Sequence, residues 1–447
     1  MPTPVFILGG WQSDFAQKAP GGDVYPLIES ATFGTLDDAG IVPADVEVVH
    51  VGNFAGELFN FQGQMGGLVA AAHRDLAGKP ASRHEAACAS GSMAVLAAMS
   101  DLESGRYGTA LVLGAEVLRN VPGAEAGVRL GCAAWTGREV VDEPFPWPSM
   151  FDRMAVEYER RYGLDHRHLG RIAEINVGNA RRNGNAQTRS WEIPEGSYHA
   201  DDEVNPRVGA ILRKQDCSRT TDGSAGVVLA SGKVAGEWAR ARGIALESVP
   251  RIQGWGHRTG TMLLEDKLAA GARAEYVFPH LRTAIVDSFR RAGISSPYEL
   301  DAIETHDCFS ISEYIALDHF GITSPGKAWQ AVEDGTIEPG GRLPVNPSGG
   351  LLGLGHPVGA TGVRMLLDGA KQVGGRARRL PGSRRPAGRP AEPRRLRDHR
   401  RHVRRRCLRG LVRRAVASSE FVSLVKCHGT RNSRNCRQAQ FSSRRSS

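Results

Sequence analysis

Arg83-His-Glu-Ala-Ala-Cys88-Ala-Ser-Gly91-Ser-Met93 leads into a helical pattern that runs to about Ser104. A cysteine stands among small residues where that helix begins. The unpaired N–H groups and the dipole of a helix start favour an anion, so the position lowers a thiol pKa and presents a thiolate outward. Ala86, Ala87, Ala89, Ser90 and Gly91 leave room for a long substrate to reach the sulfur. Taken alone, the stretch also fits a buried structural cysteine, because cysteine is among the most buried residue types. The surrounding chain decides between the two.

Upstream, Val5-Phe-Ile-Leu-Gly9 is a short apolar strand, Tyr25–Ala39 an amphipathic helix, residues 46–51 a strand and residues 63–76 a second helix. Downstream, Thr109-Ala-Leu-Val-Leu-Gly-Ala115 is apolar throughout. Buried-type strands alternating with helices predict a layered α/β body. Residues 121–214 break the rhythm with Pro144-Phe-Pro-Trp-Pro148 and two charged helical runs, which predicts an inserted loop domain packed over one face. Thr221-Asp-Gly-Ser-Ala-Gly-Val-Val-Leu-Ala230 returns the chain to the sheet. Asp38-Ala-Gly-Ile-Val-Pro-Ala-Asp-Val-Glu-Val-Val-His-Val-Gly52 is echoed by Arg291-Ala-Gly-Ile-Ser-Ser-Pro-Tyr-Glu-Leu-Asp-Ala-Ile-Glu-Thr305. Each is a helix end at glycine, a proline-bearing loop and a strand, so the body is predicted to be duplicated, with the cleft where the halves meet. The expected division is residues 1–120 plus 215–250, an insertion at 121–214, and a second half at 251–375.

Two later stretches carry chemistry. Glu304-Thr-His306-Asp-Cys308-Phe309 sets a histidine and a cysteine two apart at a strand-to-helix junction, where both can be aimed into one cleft. Asn346-Pro-Ser-Gly-Gly-Leu-Leu-Gly-Leu-Gly-His356-Pro-Val-Gly-Ala-Thr-Gly362 surrounds a histidine with glycines, as close backbone approach to a ligand requires. It lacks the Lys-Ser/Thr of a phosphate-binding Walker loop. Either histidine alone fits a structural role; three such stretches in one α/β body point to a site.

Together these stretches resemble the thiolase superfamily, and within it the sterol-carrier-protein-2 type. His84-Glu-Ala-Ala-Cys88-Ala-Ser-Gly91 looks like its nucleophile motif, His306-Asp-Cys-Phe309 like the subtype motif, and Gly355-His-Pro-Val-Gly-Ala-Thr-Gly362 like its histidine loop. The likeness runs from about residue 4 to 373. It implies a duplicated α-β-α-β-α core with an inserted loop domain, and homodimers or homotetramers. It further implies an acyl-CoA:acetyl-CoA C-acyltransferase, with coenzyme A and acyl-CoA as substrates and no permanently bound cofactor. By the resemblance Cys88 is the acylated nucleophile, His356 takes its proton, Cys308 is the acid/base at the α-carbon, and His306 polarises the thioester oxygen. Trp255, His257, Ser348 and Gly349 are the residues expected along the coenzyme A cleft. Alternative readings are a related condensing or retro-aldol enzyme of CoA thioesters, or a non-catalytic lipid or CoA-ester binder.

Composition sets the remaining bounds. The 447 residues carry 57 Lys+Arg and 48 Asp+Glu, a net charge of +9. That average hides two parts. Residues 376–447 hold 23 Lys+Arg, all but one arginine, against 3 Asp+Glu, while the preceding 375 residues hold 34 against 45. The resemblance implies that terminal strands with an Asn-x-Gly-Gly motif should follow residue 375, and the written sequence replaces them with this arginine-rich tail. A reading-frame change near residue 376 of a GC-rich gene accounts for such a composition, and leaves the second half incomplete and the tail disordered. Salt-dependent nucleic-acid binding by the tail is disfavoured, since no aromatic interleaving accompanies the charge. No signal peptide or membrane-spanning run is seen. Cys88, Cys132, Cys217, Cys308, Cys407, Cys427 and Cys436 show neither zinc-site nor disulfide spacing. No metal and a cytoplasmic location are expected.

Overall fold

Two runs of strand and helix, alike in order, build one sheet. The computed structural model describes residues 3–139, 143, 145–375, 413–417 and 421–426. In chain order the elements that matter are β1 (Val5–Gln12), α1 (Tyr25–Ala39), β2 (Val48–Gly52), β3 (Ala81–His84), α2 (Ser90–Glu103) and β4 (Thr109–Glu116). Then come α3 (Pro146–Tyr162), α4 (His166–Ala180), β5 (Gly223–Ser231), β6 (Arg251–His257), α5 (Pro279–Ala292) and β7 (Ala302–Thr305). The last are α6 (Ser310–His319), α7 (Val358–Val373), β8 (Arg413–Ala417) and β9 (Phe421–Lys426).

Strand order is β3-β2-β4-β5-β1-β6-β9-β8-β7. In the first half β2 runs parallel to β3 and β4, and β5 runs antiparallel to β4 and β1. In the second half β7 is parallel to β8, and β9 is antiparallel to β8 and β6. Strands β6, β7, β8 and β9 therefore repeat the places of β1, β2, β4 and β5. Even the register shift repeats, at Ile7/Gly9 in β1 and at Ile252/Gly254 in β6. Within the sheet the described strands of the two halves pair at Val5↔Ile252 and Phe6↔Arg251. Duplication, expected from the echo of 38–52 in 291–305, is present in the strand order.

Every residue of β4 is buried, which is why its sequence reads as an unbroken apolar run. Ile28, Ala31 and Leu36 of α1 pack on one face of the first half-sheet with Val49, Leu111 and Val228. On its other face α2 and α7 meet, Val95 and Ala98 against Val363 and Leu366. Helix α7 also rests on β8 and β9, and α5 covers the far side of β6. The result is five layers, α-β-α-β-α. From the insertion, Tyr158 and Ile172 share a core with Ile285, Phe289, Ile303 and Tyr314 of the second half.

The tail requires a correction. It was expected to lack regular structure and to leave the second sheet without its last strands. Instead β8 and β9, both from the tail, hold the two places between β6 and β7. Phe-Val-Ser-Leu-Val-Lys426 is rich in strand-forming residues, whereas Arg-Arg-Ala-Val-Ala417 has only Val416. The rest of the disorder expectation, and residues 140–142 and 144, lie outside the described residues. No described helix is long and apolar enough to cross a membrane.

Candidate active site

Small residues let the two central helices approach, and the approach builds the site. A β-carbon on Gly91, near the start of α2, would stand 2.7 Å from the Gly359 carbonyl of α7; one on Gly114 of β4 would stand 2.5 Å from the same oxygen. Neither is sterically possible without a shift, so the helices and strand meet at glycine. Cys88 lies in a tight turn (Ala87–Ala89) just before α2, and His356 lies just before α7. Ala87 is left-handed, φ 48°, a conformation that costs an ordinary residue on the order of 1–3 kcal/mol. Ser90 holds the turn: its Oγ accepts from Ala86 N at 2.9 Å and donates to Ala87 O at 2.7 Å.

The Cys88 Sγ and one ring nitrogen each of His306 and His356 lie within 4.8 Å of one another. The two imidazoles meet edge to face, centroids 5.1 Å apart. His306, Cys308 and His356 are 4, 4 and 8 % exposed, while Cys88 is half-buried and marks the mouth of the site. The three sequence stretches thus come together, and Cys308 joins them: after burial, the neighbouring Cys88 sulfur is what holds its thiol well above the ordinary range. Burial first, then the neighbouring His306 and Arg364, holds His356 well below the usual histidine range. His306 is pushed down to about 3 by burial and by Arg364. Both imidazoles are neutral at neutral pH.

The hydrogen bonds assign the tautomer of His356. The Thr361 hydroxyl donates its one proton to Pro357 O at 3.0 Å, so its oxygen accepts from His356 Nδ1–H at 2.7 Å. Nε2 is left with a lone pair, the form a base needs. His356 N donates to Thr221 Oγ1 at 2.9 Å, and Thr220 and His356 form a parallel bridge. One residue stretch ties both loops together, because Ser218 N donates to Cys308 O at 2.9 Å.

Around these cysteines and histidines sits a shell of buried carboxyls. Asp307 accepts from Leu351 N at 2.6 Å, Leu352 N at 3.2 Å and Asn176 Nδ2 at 2.8 Å, fixing the His306–Cys308 segment to the glycine-rich loop. The same Asn176 nitrogen donates to Glu313 Oε2 at 2.6 Å, as does Asn346 Nδ2 at 2.7 Å. Glu116, at the end of β4, accepts from Asn53 Nδ2, Phe54 N, Ala55 N and Gly359 N. Burial is the largest cause in each case, and raises Asp307 to about 6, Glu116 and Glu304 to about 7 and Glu313 to about 8.

The residues expected along the coenzyme A cleft have the following surroundings. Ser348 is buried and donates from N and Oγ to Glu304, at 3.0 and 2.6 Å. A β-carbon on Gly349 would stand 2.8 Å from Ala180 of α4, so that glycine serves loop packing. Trp255 packs with the central-helix cluster and carries the Arg291 guanidinium 3.9 Å above its ring. His257 ends β6 opposite Phe421. Sequence reading passed over Thr361, Thr221, Glu116 and Arg364. Thr361 stands five residues after His356 in the quoted loop, where its reach to the ring could have been weighed; the others give no local signal.

Comparison with known proteins agrees with this geometry. The model of the thiolase N-terminal domain matches residues 23–187, and that of the thiolase C-terminal domain-like family matches 265–385. An acetyl-CoA acetyltransferase of Methanothermobacter thermautotrophicus is 30% identical over 352 residues, 78% of this chain and 86% of that protein. Sterol carrier protein 2 of Gallus gallus is 27% identical over 403 residues, 85% of this chain and 69% of that one. Among solved structures, the Ltp2-ChsH2(DUF35) aldolase superposes with a TM-score of 0.69 at 20% identity, covering 95% of this chain and 98% of that one. Human mitochondrial 3-ketoacyl-CoA thiolase in complex with CoA gives 0.62 at 13%, covering 96% and 98%. These two bear on the fold alone, which is the same layered architecture. From the matched domains, the acetyltransferase relative and the shared fold, the chain belongs to the thiolase superfamily.

Proposed function

We propose that the protein is a thiolase of the sterol-carrier-protein-2 type that cleaves a 3-oxoacyl-CoA with coenzyme A, or runs the reverse condensation. The observation that carries this reading is the meeting of Cys88, His306 and His356 within 4.8 Å, with Cys308 beside Cys88. Cys88 gives its proton to His356 Nε2, and the sulfur attacks the 3-oxo carbon. The bond between the α- and 3-carbons breaks, and its electron pair becomes the enolate of the departing acetyl-CoA. Cys308 protonates the α-carbon; a thiol held above its ordinary pKa by burial is in the right state for that step. A neutral His306 offers N–H to the thioester oxygen where enolate charge develops. Coenzyme A thiol then takes the acyl group from Cys88 and restores the enzyme. Thiolate serves both as nucleophile and as leaving group, which is why sulfur and not hydroxyl stands at this position.

Incubation with acetyl-CoA followed by intact mass is the direct test: one acetyl group on Cys88 supports the reading, and an unmodified Cys88 under turnover conditions rejects it. A retro-aldol reaction needs no acylated cysteine, so the same measurement separates the two. The reading includes a homo-oligomer.

The proposal extends to the tail. A frame change near residue 376 is supported by the charge contrast of the two parts. Sequencing of the gene through codons 370–380 tests it; an alternative frame closed by stop codons rejects it.

A further inference from the structure

We propose that Cys88, His306 and His356 form a binding site for a thiophilic divalent cation, with zinc(II) the best-matched ion, and that occupancy reversibly locks the nucleophile. No zinc motif is legible in the sequence, because the ligands are 218 and 50 residues apart and only folding brings them together. One sulfur and two imidazole nitrogens within 4.8 Å make a borderline-soft donor set that suits zinc and neither magnesium nor calcium. Zinc bond lengths of about 2.0–2.3 Å place tetrahedral ligands roughly 3.3–3.8 Å apart. Side-chain shifts of about 1 Å therefore close the site.

Two further observations point the same way. His356 is already oriented as a ligand, since Thr361 takes its Nδ1–H at 2.7 Å and leaves the other nitrogen open. His306 Nδ1 is buried and has no hydrogen-bond partner among the described residues. No described group competes for that nitrogen as a ligand atom. Three protein ligands leave a fourth position for solvent, the pattern of an accessible rather than a structural zinc site.

Binding converts the Cys88 thiol to thiolate and releases one proton per cation, with no redox change. The sulfur electron pair then lies in the metal bond, so the same sulfur is unavailable to a thioester. The metal site does not depend on the acyl-transfer reading; only the competition between metal and acylation does.

The test is residue-resolved alkylation of the full chain, stripped by chelator and kept reduced. Iodoacetamide labelling of each cysteine is followed by peptide mass with and without zinc(II). Zinc should slow labelling of Cys88 by about tenfold or more, as the loss of free thiolate requires, and leave exposed Cys132 unchanged. His306→Gln and His356→Gln should each remove most of that protection. In parallel, cobalt(II) should give a thiolate-to-metal absorption that falls in Cys88→Ser. Unprotected Cys88 in the parent protein overturns the proposal, without reliance on any variant; so does protection that survives both histidine changes. A protected Cys88 that is never acylated by acetyl-CoA in metal-free buffer keeps the metal site and rejects the acyl-transfer reading. Acylation without zinc protection does the reverse.

Discussion

Cys88 and His356 occupy the same place in the two halves of the fold. Each stands two residues before a central helix, α2 from Ser90 and α7 from Val358. A duplicated body thus brings two copies of one helix start together, one bearing Cys88 and the other His356. The arrangement needs the two helices to approach closely, which is the task of Gly91 on α2 and Gly362 on α7.

Gly91→Ala tests that approach. Alanine raises helix propensity by about 1 kcal/mol, so an unconstrained site would be stabilised. Here the added carbon meets the Gly359 carbonyl at 2.7 Å, and overpacking costs about 1–3 kcal/mol. The expected net is destabilisation, with the Cys88–His356 distance altered. Chemical denaturation should show a lower midpoint, and acylation should slow. An unchanged or raised midpoint would show that the helices are not in contact there.

Thr361→Val removes the acceptor of His356 Nδ1–H while keeping the side-chain shape. The ring loses its fixed tautomer, and Nε2 carries the proton part of the time. Acylation of Cys88 should slow about tenfold, equivalent to ~1.4 kcal/mol, and Thr361→Ser should recover most of the rate. Equal rates in the valine variant and the parent, measured by mass in single turnover, would remove Thr361 from the mechanism.

Much of this was legible in the sequence for a local reason. The apolar runs at β1, β4 and β5 and the glycine-ended helices at Ala39 and Ala292 report their own burial and caps. Cys88, His306, Cys308 and His356 lie in unusual local contexts, and their likeness to one family covered all four together. Asp307, Glu116 and Arg364 were not legible, because a charged residue reads as solvent-facing unless its partners are known. Asp307 is satisfied by N–H groups more than forty residues away, and Glu116, on β4, by Gly359 of α7 among others. For Trp255 and His257 the letter does not decide, since an aromatic beside a site and one in the core read alike. β8 and β9 were hidden by the arginine-rich average around them, and their pairing with β7 and β6 is wholly non-local.

The buried carboxyls predict an unusual pH dependence of stability. Glu313, raised to about 8 by burial and by Asp307, holds its proton in the folded state where the unfolded chain has lost it. Such a group contributes stability below its unfolded pKa of about 4.5 and loses that contribution as pH rises toward 8. His50, lowered to about 4 by burial and by His84, acts on the acid side instead: its contribution is present above about 6.5 and is lost as pH falls toward 4. Between pH 6.5 and 8 the carboxyl effect governs, so the melting temperature should fall across that interval. Glu313→Gln keeps an oxygen to accept from Asn176 and Asn346 and removes the titration. Its slope should be shallower by up to one proton, about 1.4 kcal/mol per pH unit. An unaltered slope with a uniformly lower melting temperature would mean that Glu313 is ionised in the folded protein.

The two cysteines are chemically separable. Cys88→Ala leaves nothing to carry the acyl group, so both thiolysis and labelling by acyl-CoA should vanish. Cys308→Ala should still be acylated at Cys88 but should fail to exchange the α-proton of acetyl-CoA with solvent, because the carbon acid/base is gone. His356→Ala should slow the acylation step itself, by a factor on the order of 10²–10⁴ for a lost general base. A purely structural role for these side chains gives a different pattern: each change would lower stability through a cavity or a lost hydrogen bond and reduce all activities together. Intact mass for the acyl-enzyme, deuterium uptake into acetyl-CoA and a denaturation curve for each variant separate the two. A folded Cys308→Ala protein exchanging the α-proton at the parent rate would pass the carbon acid/base role to another group. A folded Cys88→Ala protein that retained thiolysis would remove the acyl-cysteine, and with it the mechanism.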